Sequence, residues 1–357
     1  MSLFSLKYIL RNKGKVNIVT LSVIFGILLI VLTNMIITSI DDNVHKAWAQ
    51  PLEHFSVVVP LNDEFSLEED DEIQSVYLDK VFITGVTGRI STHCFFVTPS
   101  TLEYICKVNN VDIIDGTMPQ EGTNEIILSE DIAKNKGLKI GNSIGKEIIP
   151  DEGLIGSYRI VGLFKANGIF SVGDASYYKT KNPDTYAGYL IPRGKEELSE
   201  DGKSVDYTIC SYESESEDID KYGEMLNISL IVILSFVYIV IFFLTSFVIY
   251  IFTSQRKKEF GILMAVGFTK GMVMKKSLFE IGVLNFLGLI IGAVLSFSAG
   301  TLLNSCYFTP MGQSLSVIKG VYILPAVILT ILNVIFSALI IITIVRKVDV
   351  IKIIEND

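Results

Sequence analysis

The sequence predicts an α-helical membrane protein with four transmembrane helices, in one-plus-three order, and a mixed α/β extracytoplasmic domain between the first and second helices. Half of the 357 residues are apolar and the mean hydropathy is positive, which is typical of an integral membrane protein. Four apolar runs are long enough, at ~1.5 Å rise per residue, to cross a hydrocarbon core of roughly 30 Å.

These runs set the expected boundaries. We predict transmembrane helices at residues 16–40, 223–253, 278–303 and 321–345. The segments between them are an outer domain with its stalk ends, a cytoplasmic loop that carries a coupling helix, a short outer loop and a cytoplasmic tail, at residues 41–222, 254–277, 304–320 and 346–357.

The first fifteen residues have a different pattern. Leu3, Leu6 and Leu10 recur near helical spacing with Lys7 and Arg11 between them, which predicts an amphipathic helix in the inner interface at residues 1–15. The apolar run that follows exceeds a secretory h-region, and two aspartates follow it instead of a small-residue cleavage site. We therefore expect the first run to be retained as a helix.

Charge predicts the orientation. Basic residues cluster before the first run, between the second and third runs, and after the fourth. The 304–320 loop, by contrast, has a single basic residue, Lys319. By the positive-inside rule both termini and the 254–277 loop are then cytoplasmic, and residues 41–222 are extracytoplasmic. The sequence thus predicts a multi-pass protein of the cell membrane.

The expected outer segment is strongly acidic, with 33 of the 39 acidic but 16 of the 30 basic residues. The basic surface faces the inner leaflet, so membrane lipid or a protein is its expected partner and nucleic acid is not. The acidic exterior fits either attraction of cationic peptides or an ordinary solvated surface.

Local patterns predict an α/β fold for the outer segment. β-branched and aromatic runs indicate strands at residues 54–61, 76–83, 92–97, 125–128, 158–165, 186–191 and 205–211. A helix is expected at residues 66–74, and a second is expected to start after Ser129 and to end before Gly137. The polar run at residues 211–220 marks the return to the membrane.

No motif in the chain predicts an enzyme. The nearest approach to a phosphate-binding loop, Gly141 to Lys146, has its glycines one residue too close and Glu147 where serine or threonine should bind magnesium. The three histidines lack metal-site spacing, so we expect no catalytic and no metal site. Cys94, Cys106 and Cys210 share the outer segment, and their disulfide status stays open.

The third apolar run carries a face of small residues. Gly288, Gly292, Ser296 and Gly300 recur every fourth residue, which favours close approach of another helix, within one subunit or between subunits. Glu280 begins this run, and we expect it to pair with Lys276 one turn earlier.

Residues of the C-terminal half resemble a known family. The pattern that resembles the FtsX-like permease domain of MacB-type ABC transporter permeases comprises Arg256, Glu259, Gly261, Ala265, Gly267, Glu280, Gly288 and Gly292. In the outer segment, residues 116–119, 124–129, 138–141 and 158–162 are similar to the extracytoplasmic core domain of the same family. The chain departs from the family where Val350 follows Asp349 and where Phe260 replaces the commoner isoleucine.

The resemblance implies a permease subunit that forms a homodimer or heterodimer and docks on a separate cytoplasmic ABC ATPase, which binds ATP and Mg. The docking helix would lie at about residues 267–276, and glycines would let the chain bend around it. The residues assigned to ATPase coupling are Arg256, Glu259, Gly261, Gly267, Phe268, Lys270, Lys275 and Lys276.

The implied mechanism is mechanotransmission. ATP-driven closure of the ATPases would move the spans and the outer domains, for export or extraction of a peptide, lipid or antibiotic. Two alternatives stay open, an FtsX-like regulator of a cell-wall hydrolase and a membrane receptor that works without an ATPase.

Overall fold

The computed structural model describes residues 13–62, 73–86, 88–193, 207–317 and 320–348. The chain divides into two compact units, one of residues 1–37, 227–303 and 316–357 and the other of residues 38–226 and 304–315. The predicted helices at residues 1–15 and 66–74 and the predicted tail at 346–357 lie almost wholly outside the described residues.

The first unit is helical. Its described helices are α1 (Lys13–Trp48), α5 (Tyr212–Ser254), α6 (Lys257–Ala265), α7 (Lys270–Leu303) and α8 (Leu324–Arg346). Helices α1 and α5 continue into the second unit. Within the described residues, four helical segments are long and apolar enough to cross a membrane, namely Val16–Trp48, Val232–Ser254, Lys270–Met311 and Leu324–Arg346. The predicted four spans in one-plus-three order are confirmed.

Two helix boundaries differ from the predicted ones. Helix α5 begins at Tyr212, so the polar run at 211–220 forms its first turns, and the Ser211 hydroxyl caps it by accepting a hydrogen bond from the Ser214 N–H at 3.1 Å. Helix α7 begins at Lys270 instead of residue 278, so the segment expected to form a separate coupling helix is continuous with the third span. The separate short helix is α6, which ends before Gly267.

Polar side chains join the helices of the first unit. The Thr245 and Ser246 hydroxyls of α5 both lie 3.1 Å from the Asn333 Oδ1 of α8. The Asn34 amide of α1 donates to the Tyr238 hydroxyl of α5 at 2.6 Å. Such bonds satisfy buried polar groups where lipid offers no partner, so they fix which helix faces pack together.

The second unit is an α/β domain built on one sheet. Its described strands β1 to β10 are Phe55–Pro60, Gln74–Thr84, Arg89–Val97, Asp112–Gly116, Glu125–Ser129, Ser143–Ile144, Tyr158–Lys165, Phe170–Asp174, Gly188–Pro192 and Tyr207–Cys210. They pair in the order β10-β1-β9-β2-β3-β8-β5-β7-β4, with β6 on β7, and β3–β8 and β5–β7 are the parallel pairs. The helices α2, α3 and α4 are Pro99–Val108, Glu130–Lys136 and Ala175–Lys181.

Local sequence explains the best-predicted element of this domain. The Ser129 hydroxyl caps α3 by accepting from the Ile132 N–H at 3.4 Å, and Gly137 ends the helix with a left-handed φ of 64°. Strand β7 covers the predicted residues 158–165. Strands β4 and β8 were not predicted, because both are five residues long and each contains glycine and aspartate, which are depleted in strands.

The sheet separates two apolar clusters. Phe95 and Phe96 are adjacent in β3, so their side chains point to opposite faces. Phe95 packs edge-on against Phe170 with ring centroids 5.8 Å apart, and Phe96 stacks on Tyr178 at 4.2 Å. Both faces of the central sheet are therefore covered, which holds the strands rigidly in register.

Candidate coupling site

Arg256 is the centre of a buried ionic cluster between α5 and α6. Its side chain is 3% exposed, and its Nε–H donates to the Glu259 Oε2 at 2.9 Å. Its Nη1 donates to the Glu280 Oε2 of α7 at 2.6 Å, and the Glu280 side chain is 1% exposed. One guanidinium therefore ties the end of α5, the start of α6 and the first half of α7 together.

Two aromatic rings enclose the same guanidinium. The Arg256 Cζ lies 5.4 Å from the ring centroid of Phe252 and 5.3 Å from that of Phe260, distances at which cation–π attraction acts. The sequence carried a signal for this cage, since the three residues are spaced four apart. Sequence reasoning missed it because it considered Phe260 only as a departure from a family pattern.

The pairing of Glu280 differs from the predicted one. Lys276 was the expected partner because it lies one turn away, but the structure pairs Glu280 with Arg256, 24 residues earlier. Both partners are buried, and the planar arginine fork suits a desolvated carboxylate better than a lysine ammonium does. Local spacing along a helix could not reveal a contact that depends on how α5, α6 and α7 pack.

Next to the buried cluster, the α6–α7 corner exposes apolar side chains. We define the coupling surface as Ile262, Val266, Phe268 and Met272, whose exposed fractions are 59%, 74%, 39% and 47%. Gly267 makes the corner with a φ of +104°, a conformation that favours glycine. Lys270 and Lys275 are exposed beside this surface, Lys276 is partly exposed, and Gly261 is buried within α6.

The small-residue face of α7 packs against α1 of the same chain. A Cβ placed on Gly288 would lie 2.6 Å from the Val23 Cγ1, and one on Gly292 would lie 2.9 Å from the Ile27 Cβ. Ser296 and Gly300 are buried on the same face. Of the two arrangements left open by the sequence, the structure shows close packing within one subunit for Gly288 and Gly292.

A cleft of about 410 Å³ in the α/β domain is lined by Trp48, Lys80, His93 and Glu215, among others. Burial lowers the pKa of His93 to about 4. The His93 Nε2 lies 3.0 Å from the Trp48 carbonyl oxygen. Burial raises the pKa of Glu215. Histidine in this cleft is therefore neutral at physiological pH.

The described residues contain no group of three or more His, Cys, Asp or Glu side chains that could hold a metal ion. The predicted outer cysteines Cys94, Cys106 and Cys210 are all unpaired in the structure. Burial raises the pKa of each of their thiols.

The part of the chain that holds the Arg256 cluster is similar to a known family. Residues 231–350, which include the Arg256 cluster and the α6–α7 corner, match the family model described as FtsX-like permease C-terminal. This match covers about a third of the chain. The resemblance predicted from the sequence is confirmed over these residues, which include three of the four described helical segments that are long and apolar enough to cross a membrane.

Solved structures similar to the chain are extracellular or periplasmic regions. The extracellular domain of the noncanonic ABC-type transporter YknZ from Gram-positive bacteria is 11% identical, with 44% of this chain and 99% of that one covered and a TM-score of 0.28. The periplasmic region of MacB from Actinobacillus actinomycetemcomitans is 10% identical, with 51% and 97% covered and a TM-score of 0.26. The comparison with curated proteins gave no match.

Proposed function

We propose that the chain is the permease subunit of an ABC transporter and couples ATP hydrolysis by a separate ATPase to movement of its α/β domain. In this proposal the termini and the α6–α7 corner are cytoplasmic and the α/β domain is extracytoplasmic. The positive-inside distribution of lysine and arginine supports that orientation. The chain itself carries out no hydrolysis, and ATP and Mg bind to the partner.

The observation that carries the proposal is the contrast at the α6–α7 corner. On its buried side, which we call its base, the corner is held by the Arg256–Glu280 ion pair. On its exposed side, which we call its tip, it carries the four apolar side chains of the coupling surface. An exposed group of apolar side chains with a polar rim is typical of a protein-binding patch. A force applied at the tip would reach α5 and α7 together because one guanidinium holds both.

Mechanical coupling also agrees with the composition of the spans. Within the four membrane-spanning segments the described ionisable side chains are few and lie toward the ends, and a polar conduit normally leaves such groups near the membrane centre. The cargo would therefore be moved by the outer domain, and a peptide, lipid or antibiotic exported or extracted from the membrane is the expected class. The active unit would be a dimer of this chain or of this chain with a related one.

Co-purification tests this proposal. We expect the full chain, isolated from its own membrane in mild detergent, to retain a protein that has a Walker A sequence and hydrolyses ATP. Phe268→Asp should reduce its recovery at least tenfold, because a charge replaces an apolar anchor. Ile114→Asp, at an apolar side chain of the α/β domain that is 45% exposed, is the matched control and should leave recovery unchanged.

A receptor that works without an ATPase gives a different result. It would retain no ATPase, and recovery of other partners would be the same for Phe268→Asp and Ile114→Asp. Equal recovery of an ATPase by both variants would contradict the docking surface specifically.

A further inference from the structure

Residues Asn304–Leu315, which we call the strap, directly follow α7, form the first part of its connection to α8, and belong to the same compact unit as the α/β domain. The strap contains a short π-helical turn at Asn304–Phe308 and a 3-10 turn at Thr309–Met311. The Asn304 side chain accepts a hydrogen bond from the Leu315 N–H at 2.8 Å, so the two ends of the strap are tied together. This bond closes the strap into a loop whose ends are held together.

One end of the strap is bonded to α1. The Ser314 N–H donates to the Asn43 Oδ1 at 3.1 Å, and the Asn43 amide donates back to the Ser314 carbonyl at 3.0 Å. The Lys46 Nζ donates to the Ser314 hydroxyl at 2.8 Å. Asn43 is 4% exposed, so this reciprocal pair is shielded from water.

The strap is also bonded to β2 and α3. The Gln313 amide donates to the Thr84 carbonyl at the end of β2, at 2.6 Å. The Asn135 amide of α3 donates to the Met311 carbonyl at 2.8 Å and to the same Thr84 carbonyl at 2.9 Å, while its oxygen accepts from the Thr84 N–H at 2.7 Å. One asparagine thus joins a strand, a helix and the strap.

Gly312 brings the strap backbone against α3. Its φ is +62°, and a Cβ built there would overlap the carbonyl group of Asp131. Helix α3 is held in turn by Lys136, whose Nζ lies 2.6 Å from the fully buried Glu152 Oε2, and the other oxygen of that carboxylate accepts from the Phe82 N–H of β2 at 2.7 Å. The surface that receives the strap is therefore rigid.

We propose that the strap is a fixed attachment through which movement of α7 and α8 is transmitted to the α3–β2 edge of the α/β domain. This inference rests on the proposed function for the source of the movement. It adds a third connection between spans and domain, besides the continuous helices α1 and α5. A short, tied and multiply bonded segment transmits displacement, whereas a flexible loop of the same length would absorb it.

Hydrogen exchange of the full chain in lipid nanodiscs tests the attachment without any ATPase. We expect the amides of Ser314 and Leu315 to exchange at least a hundredfold more slowly than an unstructured segment. In Asn43→Ala the Ser314 amide should exchange about tenfold faster, whereas Asn43→Asp, which keeps the acceptor oxygen, should lose less protection. Exchange of residues 304–315 at the unprotected rate in the wild-type chain would overturn the proposal.

Transmission is tested with the ATPase bound. In the wild-type chain, replacing ADP by a non-hydrolysable ATP analogue should change exchange at Thr84 and in α3. Gly312→Ala should abolish that change while ATPase binding stays intact. Gly122→Ala is the matched control, because Gly122 also has a left-handed φ of +73° but a Cβ there meets nothing within 4 Å.

The two proposals fail in distinguishable ways. If the wild-type chain binds no ATPase, the proposed function is contradicted and the exchange of residues 304–315 alone decides whether the strap is attached. If the ATPase binds and Gly312→Ala still shows the nucleotide-dependent change at α3, transmission through the strap is contradicted.

Discussion

At the residue scale, loss of the Arg256–Glu280 pair should lower the free energy of unfolding more than loss of any other contact described above. Removing one partner of a buried ion pair leaves the other charge without compensation and typically costs about 3–5 kcal/mol. We therefore expect Arg256→Met to destabilise the full chain by that amount, measured as the free energy of unfolding in detergent titrated with SDS. The double variant Arg256→Met/Glu280→Leu should recover part of the loss because no charge stays buried.

Arg193→Met is the control for that cycle. Arg193 pairs with Glu213, but both side chains are about half exposed, so the pair should contribute at most about 1 kcal/mol. If Arg256→Met costs no more than Arg193→Met, or if the double variant is as unstable as the single one, the buried cluster does not hold the corner together.

At the residue scale, His93 should make the stability of the α/β domain depend on pH. Its pKa of about 4 in the folded chain lies below the ordinary histidine value near 6.5, so the unfolded state binds more protons between these two pH values. The stability of the α/β domain should therefore fall as pH drops through that window, by up to about 3 kcal/mol at pH 4. Denaturant unfolding followed by fluorescence of Trp48, the one tryptophan in the sequence, measures it.

His93→Gln should flatten this part of the pH profile, since an amide does not titrate. His54→Gln, at an exposed histidine of the same domain, should leave the slope in place. A slope that is the same in both variants would show that other groups cause the acid sensitivity.

At the scale of elements, α7 packs on α1 through glycine. Gly288→Ala should destabilise the membrane unit by about 1–3 kcal/mol, because the new methyl group would overlap Val23 and force the helices apart. Gly282→Ala in the same helix meets nothing within 4 Å and should be neutral or stabilising by up to about 1 kcal/mol. SDS unfolding of the two variants gives the comparison, and equal effects would contradict close packing at Gly288.

Elements governed by nearby residues were predictable. Helix α3 followed from its serine cap and its terminal glycine, and β7 followed from its largely apolar run, which is typical of a buried strand. The third-span helix begins at Lys270 and not at residue 278, because the positive φ of Gly267 interrupts the helical backbone, whereas the helix runs without a break through Gly271 to Leu278. The bend that the sequence predicts at Gly267 is therefore the corner between α6 and α7.

For the whole molecule, hydropathy and length were sufficient to predict four spans, and local strand and helix patterns predicted an α/β domain between the first two. Contacts between distant segments were not predictable in this way. The pairing of Arg256 with Glu280 and the bonds of the strap to Asn43 and Thr84 join residues 24 to 271 positions apart. No periodicity along the chain records such contacts, because they depend on how finished helices and strands pack.

The measurement closest to the central claim places a photoreactive amino acid at position 268 of the full chain in its native membrane. Docking at the coupling surface predicts a light-dependent adduct with a Walker A-containing ATPase, identified by mass spectrometry, and no such adduct from position 114. An adduct from neither position, or the same adduct from both, would contradict docking of an ATPase at the coupling surface.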